Sequence, residues 1–307
     1  MFEPLLSLLE ANLIFFVISV ALLSLIVGSF LNVVIYRLPK MMESEWQCDC
    51  RELLKDELKT PSKPQVETQS ESQPEQQAET KTFNLAKPDS HCPSCNTPIK
   101  AWQNIPVISY LLLKGKCANC QTKISKRYPA IELLTAFSSA IVAYQFGFSA
   151  QSLVLIPLTW AFICLIFIDI DKMLLPDQIT IPLLWGVLIA ANWNVFLTPM
   201  ATIFGAVAGY LFLWTVYWLF KLVTGKEGMG HGDFKLLAVI GAVVGVIQLP
   251  MVILMSSIVG AIVGIGLMFT SGAGRNTEMP FGPYLAIAGW IVMLWGDQIF
   301  NWYIGLM

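Results

Sequence analysis

Charge is what this sequence has least of. Only 13% of its 307 residues are Asp, Glu, Lys or Arg, against about 25% in an ordinary soluble domain. Hydrophobic residues make up 55%, and the mean hydropathy is +0.63. A water-soluble enzyme of this length has too little polar side chain to hide that much apolar surface. The formal net charge of -2 excludes a nucleic-acid binder held by bulk positive charge. No Ser/His or Cys/His pair is placed to form a covalent acyl-enzyme, and no glycine-rich dinucleotide fingerprint follows a predicted strand.

The few charges are crowded. Residues 37–127 hold 14 of the 19 basic and 11 of the 21 acidic residues. A helix crossing the hydrocarbon core takes about 20 mainly apolar residues. Candidate spans fall at 13–34, 130–148, 153–171, 178–196, 201–222, 236–249, 251–270 and 280–304, the sixth and seventh sharing a break at Pro250. The expected fold is an all-α polytopic membrane protein of about eight transmembrane helices. Only Glu3 and Glu10 precede or open the first span, with no basic n-region and no small-residue cleavage site. It therefore reads as a retained anchor.

With eight spans, Lys and Arg fall in alternate connections, 37–127, 172–177, 223–235 and 271–279, with Lys221 at the inner end of the fifth span. The opposite connections, near 149–152, 197–200 and 250, contain none. Basic connections stay on the cytoplasmic side. The N-terminus is thus expected to face the periplasm and the segment 37–127 the cytoplasm. Three parts follow: a first transmembrane helix (1–36), a cytoplasmic segment (37–128), and a transmembrane core (129–307).

The cytoplasmic segment is itself uneven. Apolar and charged residues in 40–59, including Trp46, Leu53, Leu54 and Leu58, have helical spacing. Residues 60–82 are rich in Gln, Glu, Ser, Thr and Pro and read as a disordered linker, since they bury too little to offset ordering entropy. Beyond lie Cys92-Pro-Ser-Cys95 and, after 21 residues, Cys117-Ala-Asn-Cys120. Four thiolates so spaced suit a tetrahedral structural zinc, though the gap exceeds the usual 15–20. A disulfide and a thioredoxin-like redox pair are the alternatives; cytoplasmic placement disfavours the first and the missing βαβ pattern the second. Cys48 and Cys50 have no assigned role, and Cys164 reads as an apolar packing residue.

Ionisable groups in or beside a span default to function. One cluster is Asp169-Ile-Asp171-Lys172, followed by Pro176-Asp177; the other is Gly228-Met-Gly230-His231-Gly232-Asp233-Phe-Lys235. Both lie at expected cytoplasmic helix ends. Two carboxylates sharing a site do not both ionise easily, which is how aspartic proteases hold one proton and polarise a water. Solvated caps paired with Lys172 or Lys235 are the plainer reading for Asp171 and Asp177. For Asp169 and Asp233, ion coupling in a transporter competes with catalysis; the two surroundings show no repeat of the kind transporters carry.

Taken together, the motifs have an order. Gly28-Ser-Phe-Leu-Asn32-Val-Val-Ile-Tyr-Arg37-Leu-Pro39, the two cysteine pairs, Ser125-Lys-Arg127-Tyr-Pro129-Ala-Ile-Glu132, the Asp169 segment and Gly230-His-Gly232-Asp233-Phe-Lys235 succeed one another. This pattern resembles the bifunctional type IV prepilin peptidase and N-methyltransferase family of bacterial inner membranes, and the likeness covers nearly the whole chain. It implies a GxGD aspartyl protease that cuts the basic leader of type IV prepilins or type II secretion pseudopilins after a glycine, on the cytoplasmic side. It further implies methylation of the new N-terminal amine, usually of phenylalanine, by S-adenosylmethionine. The resemblance carries the catalytic roles to Asp169 and Asp233, with Asp171 as fallback. It places methyl transfer with the N-terminal region, where Gly28, Asn32, Arg37, Glu132 and the cysteines are the matching positions; Arg37 and Glu132 equally read as a structural ion pair. Pilin-type substrates and membrane lipids are the implied partners, and nucleic acid is not.

Overall fold

The computed structural model describes residues 3–58, 84–87, 89–271 and 279–305. Among them the regular elements are helices: α1 (Glu3–Ala11), α2 (Leu13–Leu58), α3 (Ile108–Leu112), α4 (Arg127–Phe146), α5 (Ala150–Lys172), α6 (Asp177–Ala190), α7 (Pro199–Thr224), α8 (His231–Ser271) and α9 (Gly282–Gly305). Backbone pairing of strand type is confined to two isolated bridges in the cysteine loops. Four helices, α2, α5, α7 and α8, are long and apolar enough to cross a membrane. The expected linker at 60–82 lies outside the described residues.

Local chemistry explains where the helices start and stop. Ser149 and Ser152 cap the start of α5 reciprocally, each side chain bonding the other's main chain. Thr198 caps α7, and Pro199 follows at a position where its missing N–H costs nothing. Pro39 does not end α2, which runs on for 46 residues in all. The helical spacing in 40–59 is therefore a continuation of the first span and not a separate element. Along α2, Ile14, Ile18, Leu22, Ile26 and Phe30 point outward while Phe16, Val20, Ser24 and Leu31 are buried. That outward apolar row is what a lipid-facing helix presents.

The break expected at Pro250 falls instead at Gly245, whose φ of 77° and ψ of 171° interrupt α8. Only glycine adopts that conformation freely. The contacts show a reversal of direction there. Gly289 of α9 packs on Ile240 of the first half, a Cβ on Gly241 would stand 3.2 Å from Leu249 across the break, and Gly260 and Gly264 of the second half meet Tyr284 and Met279 in descending order. Pro250 sits inside the second half, where its effect on the helix is absorbed.

The first half of α8 is the centre of the core. Phe234, Leu236, Leu237, Val239, Ile240 and Ala242 have no exposed surface. Gly205 of α7 and Gly241 of α8 lie so close that a Cβ on either collides with the other's carbonyl. We expect Gly205→Val and Gly241→Val each to destabilise the bundle by about 1–3 kcal/mol through overpacking. Gly186→Ala, which meets no neighbouring atom within 4 Å, leaves stability unchanged or slightly higher. Unfolding by a denaturing detergent, followed by circular dichroism, measures all three.

Candidate active site and metal centre

The end of α5 and the start of α8 meet. Asp169 lies in the last turn of α5 and Asp233 in the first turn of α8, 5% and 6% exposed. They are near enough for the charge on Asp169 to act on Asp233. The backbone of Gly282, where α9 begins, lies against the Asp169 carboxylate, and that of Gly230 lies beside Asp233. Asp169 Oδ2 and Asp233 Oδ1 are buried without a hydrogen-bond partner among the described residues. A Cβ on Gly282 would stand 2.6 Å from Asp169 Oδ2, so the close approach of α9 requires glycine.

The neighbouring charges turn elsewhere. Arg127 grips Asp171 through two hydrogen bonds of 2.8 and 2.6 Å, and Lys235 holds Asp177 at 2.6 and 2.7 Å. Lys172 reaches Glu43 of α2 at 2.7 Å. Of the four aspartates singled out from the sequence, the structure brings Asp169 and Asp233 together and places Asp171 and Asp177 in exposed ion pairs. Arg37 and Glu132 do not form the ion pair weighed from the sequence. Gly28 packs on Glu132, and Arg37 is nine residues further along α2, roughly 13 Å away. Arg37 donates to the Asn84 and Leu85 carbonyls instead.

Gly282 and Leu175 escaped the sequence reading. Leu175 packs between Gly232 and Gly282 and so covers the aspartates. The signal for the first was the run Pro280-Phe-Gly282-Pro283, whose punctuation marks a helix start with a close contact; Leu175 had none beyond lying between the acidic positions. A cavity of ≈ 300 Å³ is lined by Phe212 and Leu213 of α7, Ser256 and Ser257 of α8, and Met229 and Phe281. Met229 and Phe281 directly precede Gly230 and Gly282, while the aspartates themselves do not line it.

The second constellation is the cysteine set. The Sγ atoms of Cys92, Cys95, Cys117 and Cys120 all lie within 4.8 Å of one another, with Cys92–Cys120 at 3.7 Å and Cys95–Cys117 at 4.0 Å. Tetrahedral zinc with Zn–S bonds of about 2.3 Å separates its sulfurs by about 3.8 Å. The two knuckles copy one another. Cys92 and Cys117 accept from Asn96 and Gln121 and donate to Thr97 and Thr122 through their main chains. Asn96 and Gln121 both take positive φ, 53° and 59°. The Thr97 side chain and main chain, both bonded to Cys95, push its thiol down to about 6. Main-chain bonds from Cys120 and Asn119 lower Cys117 as well. The set fits a soft divalent ion, and zinc in particular by geometry.

Two family profiles match this chain. The one described as Bacterial Peptidase A24 N-terminal domain covers residues 22–146, and the one described as Type IV leader peptidase family covers residues 156–265. The chain is 50% identical to the protein named prepilin leader peptidase/N-methyltransferase in Pseudomonas aeruginosa, over 98% of each chain. It is 52% identical to the protein of that name in Aeromonas salmonicida, covering 93% of this chain and 92% of the relative. With that of Neisseria gonorrhoeae the identity is 46%, over 92% and 93% respectively. No solved structure matches the chain.

The four thiols are expected to bind one Zn²⁺ or Co²⁺ per chain, and Cys92→Ser or Cys117→Ser to abolish stoichiometric binding. Binding needs deprotonated thiols, so metal is retained at neutral pH and released on acidification as protons compete for the four sulfurs. The thiolate-to-Co²⁺ charge-transfer band, followed during acid titration, reads both results.

Proposed function

The chain belongs to the type IV leader peptidase family, and from that premise we propose that it removes the leader of type IV prepilins and type II secretion pseudopilins, then methylates the new N-terminal residue with S-adenosylmethionine. The observation that carries the peptidase reading is the buried pair Asp169 and Asp233, each with a carboxylate oxygen that no described group satisfies. Buried polar atoms are ordinarily hydrogen-bonded. Two orphaned oxygens facing one site fit a water and a scissile carbonyl.

Such a dyad acts as one titrating unit. One carboxylate takes a proton from water while the other donates a hydrogen bond to the carbonyl oxygen of the peptide. The water oxygen adds to the carbonyl carbon. As the C–N bond breaks, the departing nitrogen takes a proton from the dyad and becomes the new terminal amine. The backbones of Gly282 and Gly230 pack against the two carboxylates, which limits their reorganisation during the reaction. The apolar cavity lined by Met229 and Phe281 fits hydrophobic side chains of a substrate helix, and Ser256 and Ser257 add polar contacts within it. S-adenosylmethionine supplies the methyl group; no residue is assigned to its pocket.

The reversal at Gly245 supports a count of eight crossings, with α4, α6 and α9 packed among the four long apolar helices. With eight crossings the basic connections 37–127, 172–177, 223–235 and 271–279 share one side, and the rule that basic connections stay cytoplasmic puts the N-terminus in the periplasm and both aspartates at the cytoplasmic face of a bacterial inner membrane. The three-part division at 1–36, 37–128 and 129–307 describes this arrangement, with α2 bridging the first two parts. Zinc on Cys92, Cys95, Cys117 and Cys120 is structural, since four thiolates leave no open coordination position. Family membership sets aside the transporter alternative.

Asp169→Asn and Asp233→Asn are each expected to lower prepilin cleavage by about 10²–10⁴-fold, with unchanged melting temperature. Both variants should still methylate pre-cut substrate. Asp171→Asn, which gives up the pair with Arg127, keeps cleavage. Mass spectrometry of a synthetic-leader prepilin incubated with detergent-purified enzyme distinguishes these results, and near wild-type cutting by Asp169→Asn or Asp233→Asn overturns the dyad.

A further inference from the structure

The stretch between the two cysteine pairs carries apolar surface that the protein itself leaves uncovered. Residues 101–113 include no charged side chain, and Lys100 and Lys114 close the stretch at either end. Trp102, Ile105, Ile108, Leu111 and Leu112 are exposed, the last two by 68% and 70%. On a water-facing cap, a patch of this kind promotes association.

Two attachments fix how deep the stretch lies. Ser29 Oγ donates to Asn104 Oδ1 at 3.4 Å, and the main-chain N–H of Val107 donates to Glu132 Oε2 at 2.8 Å. Ser29 precedes Arg37 by eight residues, about 12 Å of helix, and Glu132 follows Arg127 by five, about 7 Å. The two helices agree on the level. A Cβ on Gly28 would stand 2.8 Å from Glu132 Cα, and Asn32 Nδ2 donates to the Tyr128 carbonyl at 3.2 Å. Residues 104 and 107 therefore lie beside the apolar part of α2 and α4, beyond the charged rim.

We infer that residues 101–113 form an interfacial arm inserted into the cytoplasmic leaflet, with lipid acyl chains as the occupant of the face formed by Ile105, Ile108, Leu111 and Leu112. This rests on reading α2 and α4 as membrane crossings. On the same two helices Ile26 and Phe30 of α2 and Leu133 and Phe137 of α4 are likewise apolar and exposed. A penetration of roughly 5–10 Å is typical of monotopic segments. Lys100 and Lys114 are long enough to reach the phosphate layer from its two ends.

The backbone is equipped for that depth. Irregular chain survives in hydrocarbon only when its polar groups are satisfied by protein. Main-chain N–H groups of Ser109, Leu111 and Leu113 bond to the carbonyls of Ile105, Val107 and Ser109. Val107 takes φ of 60°, which a β-branched residue avoids, and its N–H is the one that Glu132 accepts. The buried carboxylate thus holds the turn that aims the arm.

Photo-crosslinking in vesicles of phosphatidylethanolamine and phosphatidylglycerol tests the inference on the full chain. Leu111, Leu112, Phe137 and Ala118 are replaced singly by p-benzoylphenylalanine, and phospholipid adducts are read by mass. Adducts at 111 and 112 with yields comparable to 137, and none at 118, support the arm. Adducts at 137 but not at 111 or 112 overturn it while leaving the crossings intact, as does crosslinking of 111 to a second copy or to added prepilin in place of lipid. Absence at 137 as well as 111 and 112 overturns both the arm and the crossing of α4.

Discussion

Two carboxylates held together inside an apolar bundle are the constraint on which the rest of this structure depends. A charge there is expensive unless the protein replaces the water it has lost. Two helix starts lie beside the pair, α9 at Gly282 and α8 at His231, and the free N–H groups of a helix start favour a nearby anion. Other charges nearby are kept out of the pocket by partners of their own, Asp171 by Arg127, Asp177 by Lys235 and Lys172 by Glu43. Those three pairs also tie α4 to α5, α6 to α8 and α2 to α5. Exposed pairs add little stability; here their effect is to define which two of the four aspartates face inward. The glycine contact between α7 and α8 serves the same end by fixing the helix that carries Asp233.

Much of this was legible because the signals were compositional or strictly spaced. Hydropathy located the four helices that are long and apolar enough to cross a membrane, and the two Cys-x-x-Cys pairs located a four-thiol cluster. What failed failed for physical reasons. Proline is the strongest helix breaker in water, so Pro250 drew the expected break, yet the helix accommodates it and the chain turned at Gly245. The helix through Pro39 repeats that lesson. The Arg37–Glu132 pair was plausible because both residues sit near an expected membrane face, but sequence does not give register between α2 and α4. Only the contact of Gly28 with Glu132 shows that Arg37 lies well beyond it. The approach of Gly282 to Asp169 is likewise a tertiary fact, with only a Pro-Phe-Gly-Pro run to announce it.

The cysteine loops show a repeat that spacing alone did not reveal. Each knuckle closes with the same main-chain bonds and the same positive-φ residue after its second cysteine, so each half offers its sulfurs in one geometry. A cluster assembled from two copies of one turn needs only that the turns face each other. The connection between them is then free to serve elsewhere, and it reaches down to α2 and α4.

That reach gives the N-terminal motif an architectural meaning. Gly28 permits the contact of α2 with the Glu132 backbone, Asn32 binds the carbonyls of Gly28 and Tyr128, and Glu132 satisfies Val107. Each of these residues closes a polar or steric gap where two helices and the inter-knuckle stretch converge. Substituting any of them opens a buried hydrogen bond or pushes two backbones apart, at about 1–3 kcal/mol for an orphaned buried group. Such a change moves the whole cysteine cap relative to α2 and α4. Asp169 and Asp233, by contrast, sit on different helix ends and answer to a different set of contacts.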